Sequence, residues 1–281
     1  MVGETLGRRL RAKAPPPAKA AYRRIEMMRR QTDSIRRYDA LRRQPVLALR
    51  HLLFNKELSN FTYAIRNVDE LVRVLAGGLG LSSDEVAALA RELEEDKTLR
   101  RAIRTRLRQR PDRNDDAPYG RRIGWYVLAR VVRPRLIVET GTHDGLGSAV
   151  LARALERNAL DGVEGRLISI DVDPNAGWLV PDDLRDRYEQ RFDDSIAELE
   201  RLGSTRIDLA ILDSDHSFAH ERRELELVAS LASEGGIVVS DNPTSGAFAD
   251  FCAARNVPVY EFWEKPKRHI HPGAGLAFTR L

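Results

Sequence analysis

The sequence is poor in cysteine, in long apolar runs and in export signals. Cys252 is the only cysteine among 281 residues, which excludes an internal disulfide and a cysteine-rich metal site. No apolar run approaches the roughly 20 residues that a membrane-spanning helix needs. The N-terminus also lacks the apolar core of a secretory signal. We therefore expect a cytoplasmic protein without a membrane partner.

Charge is distributed unevenly along the chain. Residues 1–45 contain 13 Lys and Arg against 4 Asp and Glu, whereas residues 46–281 contain 33 against 38. The basic segment includes three prolines at 15–17 and buries little apolar surface, so a partly disordered tail is expected. Such an arm can bind nucleic-acid phosphates, but Tyr22 and Tyr38 are its only aromatic residues. Base stacking is therefore poorly supported, and nucleic acid is an open but disfavoured partner.

Residues 46–118 have a helical pattern. Asn67 with Glu70, and Ser82 with Glu85, have the spacing of a capping box, which opens a helix. Apolar residues follow each pair at helical intervals. The segment is predicted to be a small helical subdomain, and a homo-oligomer contact through it is a possibility that the pattern leaves open.

From residue 119 onward, short apolar runs alternate with amphipathic segments, as in a doubly wound α/β sheet. The predicted fold is a seven-stranded, mostly parallel sheet over residues 119–281, with a helical N-terminal extension. A short loop joins the last two strands, so we expect them to pair in antiparallel fashion. The predicted strands are Leu136–Glu139, Leu167–Asp171, Tyr188–Phe192, Leu209–Leu212, Ile237–Ser240, Val257–Phe262 and Leu276–Arg280.

The turn after the first strand carries an acidic residue and three glycines. It reads Glu139-Thr140-Gly141-Thr142-His143-Asp144-Gly145-Leu146-Gly147-Ser148. Ligands of open α/β sheets bind at the carboxyl ends of the strands, where glycine lets the backbone approach closely. The helix that follows presents amide groups suited to an anion. A dinucleotide fingerprint has a different glycine order, and a tight turn without a ligand is the alternative interpretation.

The next two strand ends make a nucleoside site the better interpretation. Asp171 ends the second strand, where a carboxylate can accept hydrogen bonds from both ribose hydroxyls. Asp194 and Ser195 follow the third strand, at an edge suited to adenine. Three successive strand ends thus carry groups that suit one nucleoside.

With this ordered set, the sequence resembles the class I S-adenosylmethionine-dependent methyltransferases over about 160 residues. The resemblance implies a methionine moiety over Gly141 and Ser148, a ribose on Asp171, and adenine near Asp194 and Ser195. The cofactor-binding residues that it implies are Glu139, Gly141, Thr142, Gly145, Gly147, Ser148, Asp171, Asp194, Ser195 and Asp213.

Oxygen donors follow the fourth and fifth strands. Asp213, Asp241 and Asn242 lie at adjacent strand ends, where they can converge on one Mg²⁺ with open positions for substrate. Coordination would lower the pKa of an acceptor hydroxyl, which in free water is far too high for the hydroxyl to ionise near neutral pH. His216, three residues after Asp213, can remove the proton near neutral pH. The alternatives are that Asp213 caps a helix and that His216 is a capping or packing residue.

This part resembles the metal-dependent O-methyltransferases, both the catechol type and the relatives that modify sugar hydroxyls, which include hydroxylase-like proteins. In the catechol type two aspartates and an asparagine bind magnesium, and a lysine base lies three residues after the first aspartate. In the sugar-modifying relatives a histidine takes that position, as His216 does here. The loop 263–272, with aromatic and basic residues, is expected over the acceptor pocket.

The predicted function is Mg²⁺-assisted methyl transfer to a hydroxyl of a sugar or other oxygen-rich small molecule. Asp213 and His216 are the predicted catalytic residues. Three other functions stay open: RNA methylation through the basic tail, a non-catalytic binding module that keeps the cofactor fold, and a hydroxylase-like activity that only the family resemblance implies.

Overall fold

A computed structural model describes residues 45–54, 62–110, 113–114, 116–267 and 273–281, together with Ile25, Met28, Arg29 and Thr32. The predicted basic tail, residues 1–45, lies almost wholly outside the described residues. None of the helices within these ranges combines the length and the apolar character needed to span a bilayer.

One seven-stranded mixed sheet forms the centre of the fold. Its strands are β1 (Leu136–Thr140), β2 (Arg166–Ile170), β3 (Tyr188–Arg191), β4 (Ile207–Leu212), β5 (Ala232–Asp241), β6 (Tyr260–Trp263) and β7 (Gly275–Arg280). They are ordered β3-β2-β1-β4-β5-β7-β6. The strands β1 to β5 pair in parallel, whereas β7 is antiparallel to both β5 and β6. The predicted fold class and the antiparallel last pair are confirmed.

Helices cover both faces of this sheet. They are α1 (Pro45–Phe54), α2 (Val68–Leu79), α3 (Ser83–Glu94), α4 (Lys97–Arg108), α5 (Arg122–Val132), α6 (Leu146–Leu160), α7 (Ser195–Arg201), α8 (Phe218–Leu231) and α9 (Ala247–Arg255). A 3₁₀ helix, Asp182–Arg187, precedes β3. The N-terminal helix α1 leaves Val46, Leu49 and Leu53 exposed. An oligomer contact through this region stays a prediction.

The central strands are apolar because both of their faces are buried. Along β1, Leu136 and Val138 belong to the core on one face, and Ile137 belongs to the core on the other. Residues of α2 to α6, including Leu71 and Trp125, share the core that contains Ile137. The helical segment therefore packs directly on the sheet, while α7 to α9 cover the opposite face.

The two predicted capping boxes differ in outcome. Ser82 accepts a hydrogen bond from the Glu85 backbone and the Glu85 carboxylate accepts one from the Ser82 backbone, so this box is confirmed. The box at Asn67 is wrong, since its side chain makes no cap hydrogen bond. Its Oδ1 instead accepts from the Lys265 backbone at 2.9 Å, because the loop after β6 reaches the start of α2.

The strand order reverses between β1 and β4, which is where open α/β sheets bind ligands. At this edge the Asp213 backbone nitrogen donates to the Thr140 carbonyl at 2.9 Å. The turn after β1 and the turn after β4 are thus held side by side. The predicted site residues lie at this edge and at the ends of the neighbouring strands.

Candidate functional site

Close backbone approach makes glycine necessary at the turn after β1. Gly141 has a φ of +82°, and a Cβ added there would lie 1.9 Å from the Asp213 carbonyl oxygen. Gly145 caps the start of α6 in a left-handed conformation, and Gly147 packs against the Trp125 ring. The glycines therefore let three chain segments converge where a ligand would lie.

The acidic residue of this turn is buried. The Glu139 carboxylate accepts hydrogen bonds from Ser148 Oγ and Ser169 Oγ, each at 2.5 Å. Burial raises the pKa of Glu139 to about 7, although these hydroxyls and the nearby Arg122 lower it. The fully buried Ser148 side chain thus orients Glu139.

The predicted ribose position lies at Asp171, whose carboxylate is oriented by backbone amides. Asp171 Oδ2 accepts from the His143 amide at 2.7 Å, and Oδ1 accepts from the Asp173 amide at 2.8 Å. These bonds fix the carboxylate at the end of β2, beside the glycine turn. Thr142 is buried, and its Oγ1 accepts from Gln190 Nε2 of β3 at 3.1 Å.

The predicted adenine position combines a helix cap with a histidine contact. Asp194 is the N-cap of α7, where its Oδ1 accepts from the amides of Ile196 and Ala197. Ser195 Oγ lies 2.9 Å from His220 Nε2. A hydrogen bond with Glu224 raises the pKa of His220. Sequence reasoning missed His220, whose only signal was its position one helical turn after His216.

Two adjoining cavities follow the carboxyl edge of the sheet. The larger, about 630 Å³, brings together the ends of β2, β4 and β5. The smaller, about 40 Å³, lies over the glycine turn and also touches the N-terminal helical segment. The larger is lined by Arg121, Arg122, Gly141, His143, Asp171, Asp194, Ser195, Asp213, Ser214, His216, His220 and Asn242, among others.

The predicted catalytic pair lies in the larger cavity. His216 Nε2 is 3.6 Å from Asp213 Oδ1, and the His216 side chain is 38% exposed. Burial raises the pKa of Asp213 well above its usual value, and the neighbouring Asp241 charge raises it further. Helix α8 has Ser217 as its N-cap, so neither Asp213 nor His216 caps it.

A buried ion cluster around Arg121 lies at the β5 end of this cavity. Arg121 donates to both Asp241 oxygens, through Nε at 2.6 Å and through Nη2. Arg121 Nη1 also lies 3.5 Å from Glu264 Oε2. Burial opposes the charge of Arg121, but Asp241 and Glu264 outweigh it and raise the pKa of the guanidinium. Burial likewise opposes ionisation of Asp241, but the Arg121 charge and hydrogen bonds lower the pKa of that carboxyl.

The residues predicted to hold Mg²⁺ do not fit a metal site. Both oxygens of Asp241 accept from Arg121, and Asn242 Oδ1 accepts from the Gly275 amide at 3.1 Å. Within the described ranges, no group of three or more His, Cys, Asp or Glu is arranged to hold a metal ion. The third predicted ligand, Asp213, has a cation beside it, since Arg122 Nη2 lies 4.0 Å from Asp213 Oδ2.

Arg121 and Arg122 were missed by sequence reasoning, although a signal was present. They stand at the N-cap and first position of α5, where the helix dipole disfavours cations. A basic pair at that position indicates acidic partners elsewhere in the fold. Those partners, Asp241 and Glu264, lie 120 and 143 residues further along the chain.

The loop expected over the acceptor pocket is described in part. Glu264 is 3% exposed and bound to Arg121, whereas Lys265 bonds Glu70. Trp263 is 41% exposed, and its ring nitrogen donates to Glu261. The predicted basic contacts at 268–272 lie outside the described residues.

Comparison with known proteins identifies the domain. Residues 138–242 match a family model described as a methyltransferase domain. None of the curated protein sequences matches the chain.

Several solved structures are similar to part of the chain. An O-methyltransferase from Bacillus cereus in complex with SAH is 16% identical, over 66% of this chain and 92% of that chain, with a TM-score of 0.48. The O-methyltransferase TomG from Streptomyces achromogenes in complex with SAM is 24% identical, over 66% and 90%, with a TM-score of 0.49. A methyltransferase from Geobacter sulfurreducens is 22% identical, over 72% and 99%, with a TM-score of 0.47.

The family match begins within β1 and ends just after β5. It therefore contains the glycine turn, Asp171, Asp194 and the predicted catalytic pair. The prediction of a methyltransferase is supported by this match of residues 138–242 to a methyltransferase domain.

Proposed function

We propose that this chain transfers a methyl group from S-adenosylmethionine to a hydroxyl of a small molecule, with His216 as general base. One observation carries the proposal. The residues suited to a nucleoside, Asp171 and Ser195, line the same cavity as Asp213 and His216. A donor bound at one end of this cavity would present its methyl group toward the other.

The nucleoside end suits the donor's ribose and adenine. Asp171 is held in place by the amides of His143 and Asp173, and its carboxylate keeps lone pairs for two ribose hydroxyls. Asp194 and Ser195 at the start of α7 line the part of the cavity next to it. An adenine there would lie between the end of β3 and His220.

The smaller cavity suits the amino-acid end of the donor. Arg113, Arg122 and Trp125 line it together with Glu139. Trp125 Nε1 is buried and has no hydrogen-bond partner in the described part of the chain, so it can donate to a carboxylate. Glu139 can accept from the ammonium group, and that charge would favour its ionised form.

The transfer itself is a direct displacement. The hydroxyl oxygen forms a bond to the methyl carbon as the carbon–sulfur bond breaks, and the sulfonium becomes a neutral thioether. The hydroxyl proton passes to the His216 imidazole. Asp213, 3.6 Å from Nε2, positions the ring. Alignment of oxygen, carbon and sulfur by the cavity walls supplies much of the rate enhancement.

Magnesium is not part of this proposal, because Asp241 and Asn242 use their oxygens within the fold. RNA as acceptor is not retained either, since it rests on residues 1–45, which lie almost wholly outside the described residues. A non-catalytic module is opposed by the position of His216, exposed within the cavity beside Asp213.

A transfer assay with methyl-labelled donor and a panel of hydroxylated small molecules tests the proposal. We expect turnover that falls by about 100-fold or more in His216→Ala, as loss of a general base does. Phe218→Ala is the control, because Phe218 is exposed two residues further on. Equal activity of both variants would rule out His216 as the base. Absence of any transfer, with donor bound, would argue for the binding module.

A further inference from the structure

The acceptor end of the larger cavity has a cation of its own. We propose that the Arg121 guanidinium permanently fills the cation position between the ends of β4 and β5, so that Asp213, Asp241 and Asn242 take no divalent metal. The inference rests on the proposed function only in naming this end the acceptor site. The site predicted to bind a metal is then metal-free, and the Arg121 side chain supplies its positive charge.

Arg121 competes directly for the carboxylate that a metal would need. Its planar fork donates to both oxygens of Asp241, with Nε to Oδ1 at 2.6 Å. This bidentate geometry is the strongest arrangement of an arginine with a carboxylate. Both residues are nearly inaccessible, with side chains 6% and 0% exposed. A metal could bind Asp241 only by displacing this pair.

The second expected ligand is also engaged. Asn242 has a left-handed φ of +58°, and its backbone nitrogen donates to the Gly275 carbonyl at 2.9 Å. Its Oδ1 accepts from the Gly275 amide at 3.1 Å. Asn242 therefore joins the end of β5 to the start of β7. Turning its oxygen toward a metal would break this connection.

A divalent ion would also meet like charge on both sides. Arg122 Nη2 lies 4.0 Å from Asp213 Oδ2, and Arg121 lies on the other side at Asp241. A divalent ion held between Asp213 and Asp241 would therefore lie close to both guanidinium groups, and repulsion between like charges is strong when they are shielded from water. The negative charge of Asp241 is already balanced by Arg121.

The Arg121 side chain cannot easily leave. Its backbone nitrogen donates to Glu264 Oε1 at 2.6 Å, and Glu264 Oε2 accepts from the Ala274 amide at 3.0 Å. Rotation of the side chain away from this cluster would leave Asp241 and Glu264 buried without their cation, which is unfavourable. The ion cluster thus joins α5, β5 and the loop before β7 in one arrangement.

Manganese titration of the full-length protein, followed by electron paramagnetic resonance, tests the inference. We expect the free Mn²⁺ signal to be undiminished by stoichiometric wild-type protein. The contrary result is one bound Mn²⁺ per chain that is lost in Asp241→Asn, which would overturn the inference.

Two variants at position 121 test the cause. Arg121→Ala removes the guanidinium and frees Asp241 and Glu264, so we expect at least tenfold tighter Mn²⁺ binding than in the wild type. Arg121→Lys retains the positive charge and should bind Mn²⁺ no more tightly than the wild type. Equal Mn²⁺ affinity of the two folded variants would contradict the inference. If circular dichroism shows that Arg121→Ala does not fold, the comparison of wild type with Asp241→Asn decides.

The same protein samples separate this inference from the proposed function. Calorimetry with S-adenosylhomocysteine measures the donor site independently of manganese. Absence of nucleoside binding would refute the proposed function and leave the Arg121 result standing. Bound manganese together with bound nucleoside would refute the metal-free site alone.

Discussion

The two ends of the larger cavity are stabilised by different kinds of contact. At the proposed nucleoside end, Asp171 and Asp194 accept hydrogen bonds from amides, most of them within three residues of their own position. At the proposed acceptor end, Arg121 binds carboxylates 120 and 143 residues away. The first end is a set of local turns on strand ends, whereas the second is a charge cluster that exists only in the folded chain.

This difference predicts how each end fails when it is changed. Loss of a local contact at the nucleoside end should weaken ligand binding and leave the fold largely intact. Loss of one charge at the acceptor end leaves its partner buried and uncompensated, which destabilises the whole domain.

The largest effect is expected from Asp241→Ala. The substitution leaves the Arg121 guanidinium buried without its bidentate partner, so the free energy of unfolding should fall by about 3–5 kcal/mol. Urea denaturation measures this loss. The triple variant Arg121→Met/Asp241→Leu/Glu264→Gln is the matched control and should recover most of it, because it also removes the buried charge of Glu264, the second partner of Arg121. A loss below about 1 kcal/mol in Asp241→Ala would show that the cluster is not a major source of stability.

The next largest loss of stability is expected from Gly141→Ala, in the turn after β1. A Cβ there would contact the Asp213 backbone at 1.9 Å, which adds a packing cost of about 1–3 kcal/mol to the left-handed strain. Gly162 is a close control, since its φ is +84° and nothing lies within 4 Å of the added Cβ. Gly162→Ala should lose only about 1–2 kcal/mol. Equal losses in thermal unfolding would mean that the two strand ends separate easily.

A smaller effect, confined to binding, is expected from Asp171→Ala. Loss of hydrogen bonds to a charged acceptor should weaken S-adenosylhomocysteine binding by about 10- to 100-fold. Asp173→Ala is the control because Asp173 is exposed and bonds its own neighbour Asn175. Calorimetry of both variants distinguishes them. Equal affinities would remove Asp171 from the ribose site.

The smallest effect is expected from Glu139→Gln and depends on pH. Burial raises the pKa of Glu139 from 4.5 to about 7, so the folded state holds this proton to higher pH than the unfolded chain. The resulting loss of folded-state stability is absent below pH 4.5, grows up to pH 7 and is complete above it.

Glutamine has no proton to lose, so the variant should avoid this penalty. Glutamine accepts weaker hydrogen bonds than a carboxylate does, which offsets part of this benefit. We therefore expect the free energy of unfolding of the variant to rise by about 1 kcal/mol at pH 8 and not to rise at pH 5. Denaturant unfolding at both pH values measures it. A variant less stable than the wild type at pH 8 would show that Glu139 is stabilised in its ionised form.

The same local and distant division decides what the sequence could predict. All seven strands were placed within a few residues, because periods of buried apolar residues and turn residues are local signals. Glu139, Gly141, Asp171 and Asp213 were placed on one edge by the rule that parallel strands end together. The capping box at Ser82 was also predicted from a local pattern. The box predicted at Asn67 does not form, because Asn67 Oδ1 accepts a hydrogen bond from the backbone of Lys265, 198 residues away.

The acceptor end could not be predicted in the same way. The sequence has the acidic residues of a metal site but does not show that Arg121 folds back onto Asp241. Helix α5 begins with two arginines, which the helix dipole disfavours. This feature of the sequence was the available indication of acidic partners elsewhere in the fold. Which carboxylate each arginine meets depends on packing of α5 beside β5 and on the loop before β7.

The central claim is that a sulfonium nucleoside binds along this edge of the sheet. Isothermal titration calorimetry of the full-length protein with S-adenosylhomocysteine tests it most directly. We predict saturable binding of one molecule per chain. Folded protein that shows neither binding heat nor a rise in unfolding temperature at millimolar ligand would contradict the claim.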